Sequence, residues 1–175
     1  MAEFLIANKS LPRFVNADFI AKGLSKGEAS LGDIEAGRIM LQKLHQAIRQ
    51  GESISFETTL SGRIWSKLIS EAFDAGFEIT ICYVAVETPE IATARVVKRA
   101  KEGGHFVPAT DIKRRFQRSL SLFFDVYSSK VKNWYLFDNS GFSALLVAYQ
   151  ENGHALQIPL EDLYNKYRKL AAHGA

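Results

Sequence analysis

The clearest alternation of polar and apolar positions lies at Ser53-Ile54-Ser55-Phe56, and Glu57, Thr58 and Thr59 follow at once. This pattern predicts a strand whose carboxyl end turns polar, then a turn, then a helix. The same order, an apolar strand running into an acid, recurs at Phe14-Val15-Asn16-Ala17-Asp18 and at Tyr135-Leu136-Phe137-Asp138-Asn139. In open α/β sheets the carboxyl ends of the strands border the ligand crevice. Three acidic strand ends on one rim are therefore the expected centre of function. Asp18 could equally cap a helix, because Phe19-Ile20-Ala21 can continue as a helical turn.

Helical spacing appears first in Asp33 to Gln50, with Ile34, Leu41, Leu44 and Ile48 on one stripe, Asp33 as cap and Gly51 as left-handed stop. A second helix is expected from Ser61 to Ala75, apolar on Ile64, Trp65, Leu68, Ile69, Ala72 and Phe73 and ended by Gly76. Glu78 to Val86 is an almost continuous apolar run, as in a strand covered on both faces, with Cys82 as a small core residue. Thr88-Pro89-Glu90 opens a helix that carries Arg95, Lys98 and Arg99 and stops at Gly103-Gly104. Thr110 or Asp111 opens the next, with Ile112, Phe116, Leu120, Phe123 and Val126 on one side and Arg114, Arg115 and Arg118 off it. Asn133 to Asn139 reads as a strand, Asn152-Gly153 as a hairpin turn, and Leu163, Tyr164, Tyr167 and Leu170 as one face of a last helix. Strands alternating with helices imply a three-layer α/β fold with a mainly parallel sheet and a C-terminal antiparallel β-hairpin. Residues 1–175 are expected to form a single domain.

Charge changes this picture in one place. Residues 95–118 hold eight basic and two acidic residues, a local +6 in a chain of net +3. Two helices bearing arginines, joined by Gly103-Gly104-His105, suit a flap over an anionic ligand, because the guanidinium fork binds phosphate or carboxylate oxygens in pairs. A solvated helix face is the plainer alternative. Nucleic-acid binding has less support, since no aromatic stacking pattern accompanies the basic run. No apolar run approaches the roughly 20 residues of a membrane span. With one cysteine and no leader-like N-terminus, the expectation is a cytoplasmic protein without disulfides.

Taken together, the Asn16 to Asp18 end, Ile54-Ser55-Phe56-Glu57-Thr58-Thr59-Leu60-Ser61-Gly62, Gly103-Gly104-His105-Phe106-Val107-Pro108 followed by Ile112-Lys113-Arg114-Arg115-Phe116, and Asp138-Asn139-Ser140-Gly141 resemble the zeta-toxin-like group of P-loop kinases. The resemblance runs from about residue 3 to residue 160. Zeta toxins proper phosphorylate UDP-N-acetylglucosamine with ATP and Mg²⁺, so it implies phosphoryl transfer from ATP to a hydroxyl of a small molecule. It makes Asp18 the carboxylate that accepts the substrate proton, Glu57 an acid near substrate and metal, and Arg99 one of two arginines on the transferring phosphoryl group. The second arginine does not map cleanly: His105, Arg95 or Arg114 could take its place. Asn16, Thr58, Thr59 and Arg115 join the expected substrate and phosphate contacts, and Asp138 and Asn139 the cofactor contacts.

One departure is large. The family begins with a strand and a glycine-rich loop ending in Gly-Lys-Ser/Thr, and no G-x-x-x-x-G-K-[ST] occurs in these 175 residues. Met1 falls where the helix after that loop should be under way, so the expectation is an N-terminally shortened fold whose sheet lacks its central strand. Loss of the backbone cradle, its lysine and its Mg²⁺ ligand would impair or abolish transfer. The alternative is a non-catalytic nucleotide- or anion-binding module, or one completed by a protein partner that fills the sheet; an antitoxin is a further partner the resemblance allows.

Overall fold

A computed structural model describes residues 13–17, 20, 29–102 and 107–172. The chain divides into two compact units, Met1–Thr58 and Thr59–Ala175.

The first unit holds β1 (Arg13–Val15), α1 (Ala29–Gln50) and β2 (Ile54–Phe56). β1 and β2 are parallel, with Arg13 opposite Ile54 and Val15 opposite Phe56. Parallel pairing places both carboxyl ends side by side, as the alternation predicted. The chain turns helical directly after β1, where the Ile20 N–H bonds the Asn16 carbonyl at 3.2 Å. α1 starts earlier than expected, so Asp33 lies inside the helix and is not its cap. From residue 35 onward its buried positions are Ala36, Met40, Leu44 and Ala47; of the expected stripe Leu44 is buried and Leu41 and Ile48 are half-buried. The stop is as expected: Gly51 has φ +68°, its N–H reaches Ile48, and the Glu52 N–H reaches Ala47.

The second unit contains α2 (Ile64–Asp74), β3 (Thr80–Ala85), α3 (Pro89–Lys101), α4 (Ala109–Leu122), a π-helical turn (Phe123–Tyr127), a 3₁₀ turn (Ser128–Lys130), β4 (Asn133–Asp138), β5 (Leu145–Gln150) and α5 (Glu161–Ala172). β3 and β4 are parallel, and β4 and β5 antiparallel with a bulge between Leu136 and Phe137. The Asn-Gly turn forms, with φ +51° at Asn152 and +72° at Gly153, but the returning strand is a single bridge, Tyr149 to Gln157. Pro159 has no N–H to extend that ladder.

The core lies on one side of this sheet. Trp134, Leu136, Val147 and Ala148 pack with Leu120, Phe123, Tyr127 and Tyr167. Phe123 stacks on Tyr83 with ring centroids 4.5 Å apart and meets Trp134 edge-on at 5.5 Å. Cys82 is exposed, not a core residue, and Val84 is 42% exposed. An unbroken apolar run had suggested cover on both faces; only Ile81, Tyr83 and Ala85 turn inward.

Candidate functional site

In the first unit two of the expected strand ends lie side by side, while the third, at Asp138, belongs to the second unit. Asn16 follows β1, Glu57 follows β2, and the Asn16 side-chain amide donates to Glu57 Oε2 at 3.0 Å. Glu57 is exposed, and among the described residues it accepts this one hydrogen bond, which leaves Oε1 to water or a ligand. Thr58 is half-buried. Asp18 lies outside the described residues, as does His105.

In the second unit Thr59 is exposed and its hydroxyl pairs with that of Ser61 at 2.9 Å. The turn that follows differs from the expected immediate helix. Leu60 is buried at φ +54°, a left-handed conformation that costs a bulky side chain energy and is kept where the surroundings enforce it. The helix then starts at Ile64, with Arg63 at its cap.

Arg95 and Arg99 stand exposed on α3, and neither has an ion-pair partner among the described residues. That helix begins as predicted, with the Thr88 hydroxyl accepting from the Ile91 N–H at 3.3 Å and proline in the first turn. No residue of α3 is fully buried. Lys113 of α4 pairs with Glu90 of α3 at 3.5 Å. Arg114 is held by Asp111 at 3.0 Å, and Arg115 is exposed.

Asp138 closes β4 in a different way. It is 3% exposed, and its carboxylate accepts from the Ser140 N–H at 3.1 Å, from the Ser140 hydroxyl at 2.7 Å and from the Tyr167 hydroxyl. Burial pushes its pKa up, but the Tyr167 and Ser140 donors and the Lys166 charge outweigh that and hold it below its ordinary value. Burial and the adjacent carboxylate push the Tyr167 phenol far up, so it stays a donor. The Ser140 hydroxyl also accepts from the Glu87 N–H at 2.8 Å, and Lys166 pairs with Glu87. The Asn139 N–H bonds the Ala85 carbonyl at 2.8 Å. The ends of β3 and β4, the start of α3 and the helix α5 thus share one polar network. Tyr167 had been counted only as part of an apolar stripe; nothing in the local sequence marks its hydroxyl.

A hard cation needs oxygen ligands, and Mg²⁺ commonly takes one or two carboxylates with the remainder from phosphate and water. Glu57 fits such a single contact. Among the described residues no group of three or more His, Cys, Asp or Glu could hold a metal without further ligands.

The zeta toxin family model matches residues 16–151. The chain belongs to the zeta toxin family. An uncharacterized protein of Haemophilus influenzae is 33% identical over 102 residues, which are 58% of this chain and 73% of that one. Among solved structures, the AvrRxo1-ORF1:ORF2 complex with ATP contains a chain similar in fold at TM-score 0.73 and 20% identity, covering 87% of this chain and 52% of that one. This zeta toxin family member therefore spans about half the length of that chain. The PezAT chromosomal toxin-antitoxin system of Streptococcus pneumoniae matches at TM-score 0.54 and 10% identity, over 98% of this chain and 79% of that one. The matches show a P-loop-kinase-like α/β fold. No helix of the described residues is long and apolar enough to cross a membrane.

Proposed function

We propose that this chain carries the acceptor side of an ATP-dependent small-molecule kinase of the zeta toxin type. The observation that carries the reading is the paired rim of β1 and β2, where Asn16 orients the exposed Glu57 beside the strand that leads to Asp18. In this reading Asp18 accepts the proton of the attacking hydroxyl. Glu57 holds substrate or contributes one oxygen to Mg²⁺, and Thr58 and Thr59 line the acceptor. Arg99 neutralises charge on the transferring phosphoryl group, with His105, Arg95 or Arg114 beside it and Arg115 on the phosphates. Asp138 and Asn139 serve ATP through the backbone they position. Phosphoryl transfer demands little covalent chemistry of the protein, and placement and charge stabilisation supply most of the acceleration. When bound, Mg²⁺ would neutralise phosphate charge.

The AvrRxo1 complex was solved with ATP and the PezAT pair is a toxin-antitoxin system, which supports a nucleotide ligand and a protein partner here as well. The 175 residues contain no G-x-x-x-x-G-K-[ST], and this favours a second reading. Transfer then needs a phosphate loop from outside these residues, and by themselves they bind a nucleotide or another anion, or a partner, without turnover.

Label transfer from γ-labelled ATP to a pool of small hydroxyl compounds tests both readings. The first expects labelled product from the native protein, lost in Asp18→Asn with ATP affinity unchanged. Undiminished transfer by Asp18→Asn would falsify the acid-base assignment. ATP binding without labelled product supports the second.

A further inference from the structure

Beside the π-helical turn of the second unit lies a cleft of about 580 Å³. Arg63 borders it from the cap of α2, Arg114, Gln117 and Arg118 from α4, and Ser121 and Asp125 from its end and the π turn. Pockets of a few hundred Å³ and more hold ligands of nucleotide size. Arg63 and Arg118 are exposed, and neither guanidinium has a hydrogen-bond or ion-pair partner among the described residues. Among the described residues that line the cleft Asp125 is the one carboxylate, and it already accepts from the Ser121 hydroxyl at 2.9 Å. With Arg114 already paired to Asp111, Arg63 and Arg118 against Asp125 leave the described lining cationic.

The cleft is also built, not merely lined. Tyr127 is fully buried, and its hydroxyl donates to the carbonyl of Gly62, the residue before Arg63. The wide π turn at Phe123–Tyr127 brings that hydroxyl to the loop; such turns recur at functional sites. Burial pushes the Tyr127 phenol up while the Ser66 backbone and the charges of Arg63 and Arg118 act against the shift, so both guanidiniums lie within electrostatic reach of one hydroxyl. Left-handed Leu60 anchors the same loop from its other side. Two unusual backbone segments thus converge on the residue that presents Arg63.

We propose that this cleft is an anion site for a phosphate-bearing small molecule, held by Arg63 and Arg118, with Arg114 shared between the ligand and Asp111. Arginine forks match phosphoryl oxygens in pairs, and two unpaired forks on separate helices suit a ligand with more than one phosphoryl oxygen face. Gln117 adds a neutral donor. The site goes beyond the transfer reading: Arg63 and Arg118 have no part in it, and only Arg114 is common to both.

The test is calorimetric titration of the whole protein with inorganic pyrophosphate, at constant ionic strength and without ATP. Saturable binding is expected, weakened at least about tenfold by Arg63→Gln with Arg118→Gln, while Lys67→Gln, one turn along α2, changes it less than about twofold. Asp125→Asn should tighten binding, since it removes the carboxylate from the cleft. Both arginines are exposed, so the unliganded melting temperature should stay unchanged in the double variant. No saturable heat at millimolar pyrophosphate, or an equal loss from Lys67→Gln, would overturn the proposal. A protein that binds pyrophosphate in this way yet transfers no phosphate defeats the kinase reading alone, and the reverse result defeats this one alone.

Discussion

Glu57 and Asp138 stand at the same place in the local grammar, directly after or at the end of an apolar strand, and they have opposite surroundings. Glu57 is exposed and accepts one side-chain hydrogen bond among the described residues. Asp138 is buried and accepts from a backbone N–H, a serine hydroxyl and a tyrosine hydroxyl. The first carboxylate keeps one oxygen without a hydrogen bond among the described residues. The second spends its acceptor capacity on joining β4, α5 and, through Ser140, the approach to α3. An acid at a strand's carboxyl end is therefore a clue to the rim, but its partners decide whether it acts on a ligand or holds the elements that do.

The largest effect that could break this contrast is Asp138→Ala. It leaves the buried Tyr167 hydroxyl without its acceptor and should cost about 3 kcal/mol in urea-induced unfolding, because an unsatisfied buried polar group costs far more than a hydrogen bond is worth on average. A loss under about 1 kcal/mol would mean that water replaces the carboxylate at no cost.

Acid unfolding gives a smaller and more selective reading. The folded protein holds the Asp138 pKa below its ordinary value of 3.8. The carboxylate's contribution is thus complete above that value and fades as the pH falls through the folded pKa. Stability should drop below pH 3.8 in the native protein, and Asp138→Asn should flatten that part of the profile. An unchanged acid limb in the variant would assign the drop to other carboxylates. The smallest expected change is in Glu57→Gln, which keeps an acceptor for Asn16 on an exposed side chain. Its unfolding free energy should stay within about 0.5 kcal/mol of the native value, while transfer, if this site performs it, is lost. A large destabilisation would move Glu57 into the same structural class as Asp138.

Much of this could be read from local sequence because local physics decides it. Gly51 and Gly76 end helices where only a left-handed residue allows the closing hydrogen bonds. Thr88-Pro89 starts one for an equally local reason. The parallel neighbours of Glu57 and Asp138 followed from alternation and from acids at strand ends. Other features depend on partners far along the chain. The burial of Ala36 and Ala47 on α1 and the exposure of Cys82 are set by what packs nearby, not by hydrophobicity. Tyr167 lies 29 residues from the carboxylate it serves, and Tyr127 lies 65 from Gly62. No periodicity links residues at such separations. Arg63 stood in plain view beside the organising strand, but its place in a cleft depends on a turn that leaves the helical register.

That turn also makes the molecule sensitive to length. A π turn holds roughly one residue more than the α-helical path around the same axis. Deleting one residue from the turn itself would restore regular α-helix and leave the positions beyond it facing as before. A one-residue deletion in the regular part of α4 would instead swing each position beyond the cut by about 100° around the axis, carrying the Tyr127 hydroxyl away from the Gly62 carbonyl. The tie between these two parts of the chain is a matter of counting. A substitution can weaken it, but a one-residue deletion in α4 would remove it while sparing the composition of the helix.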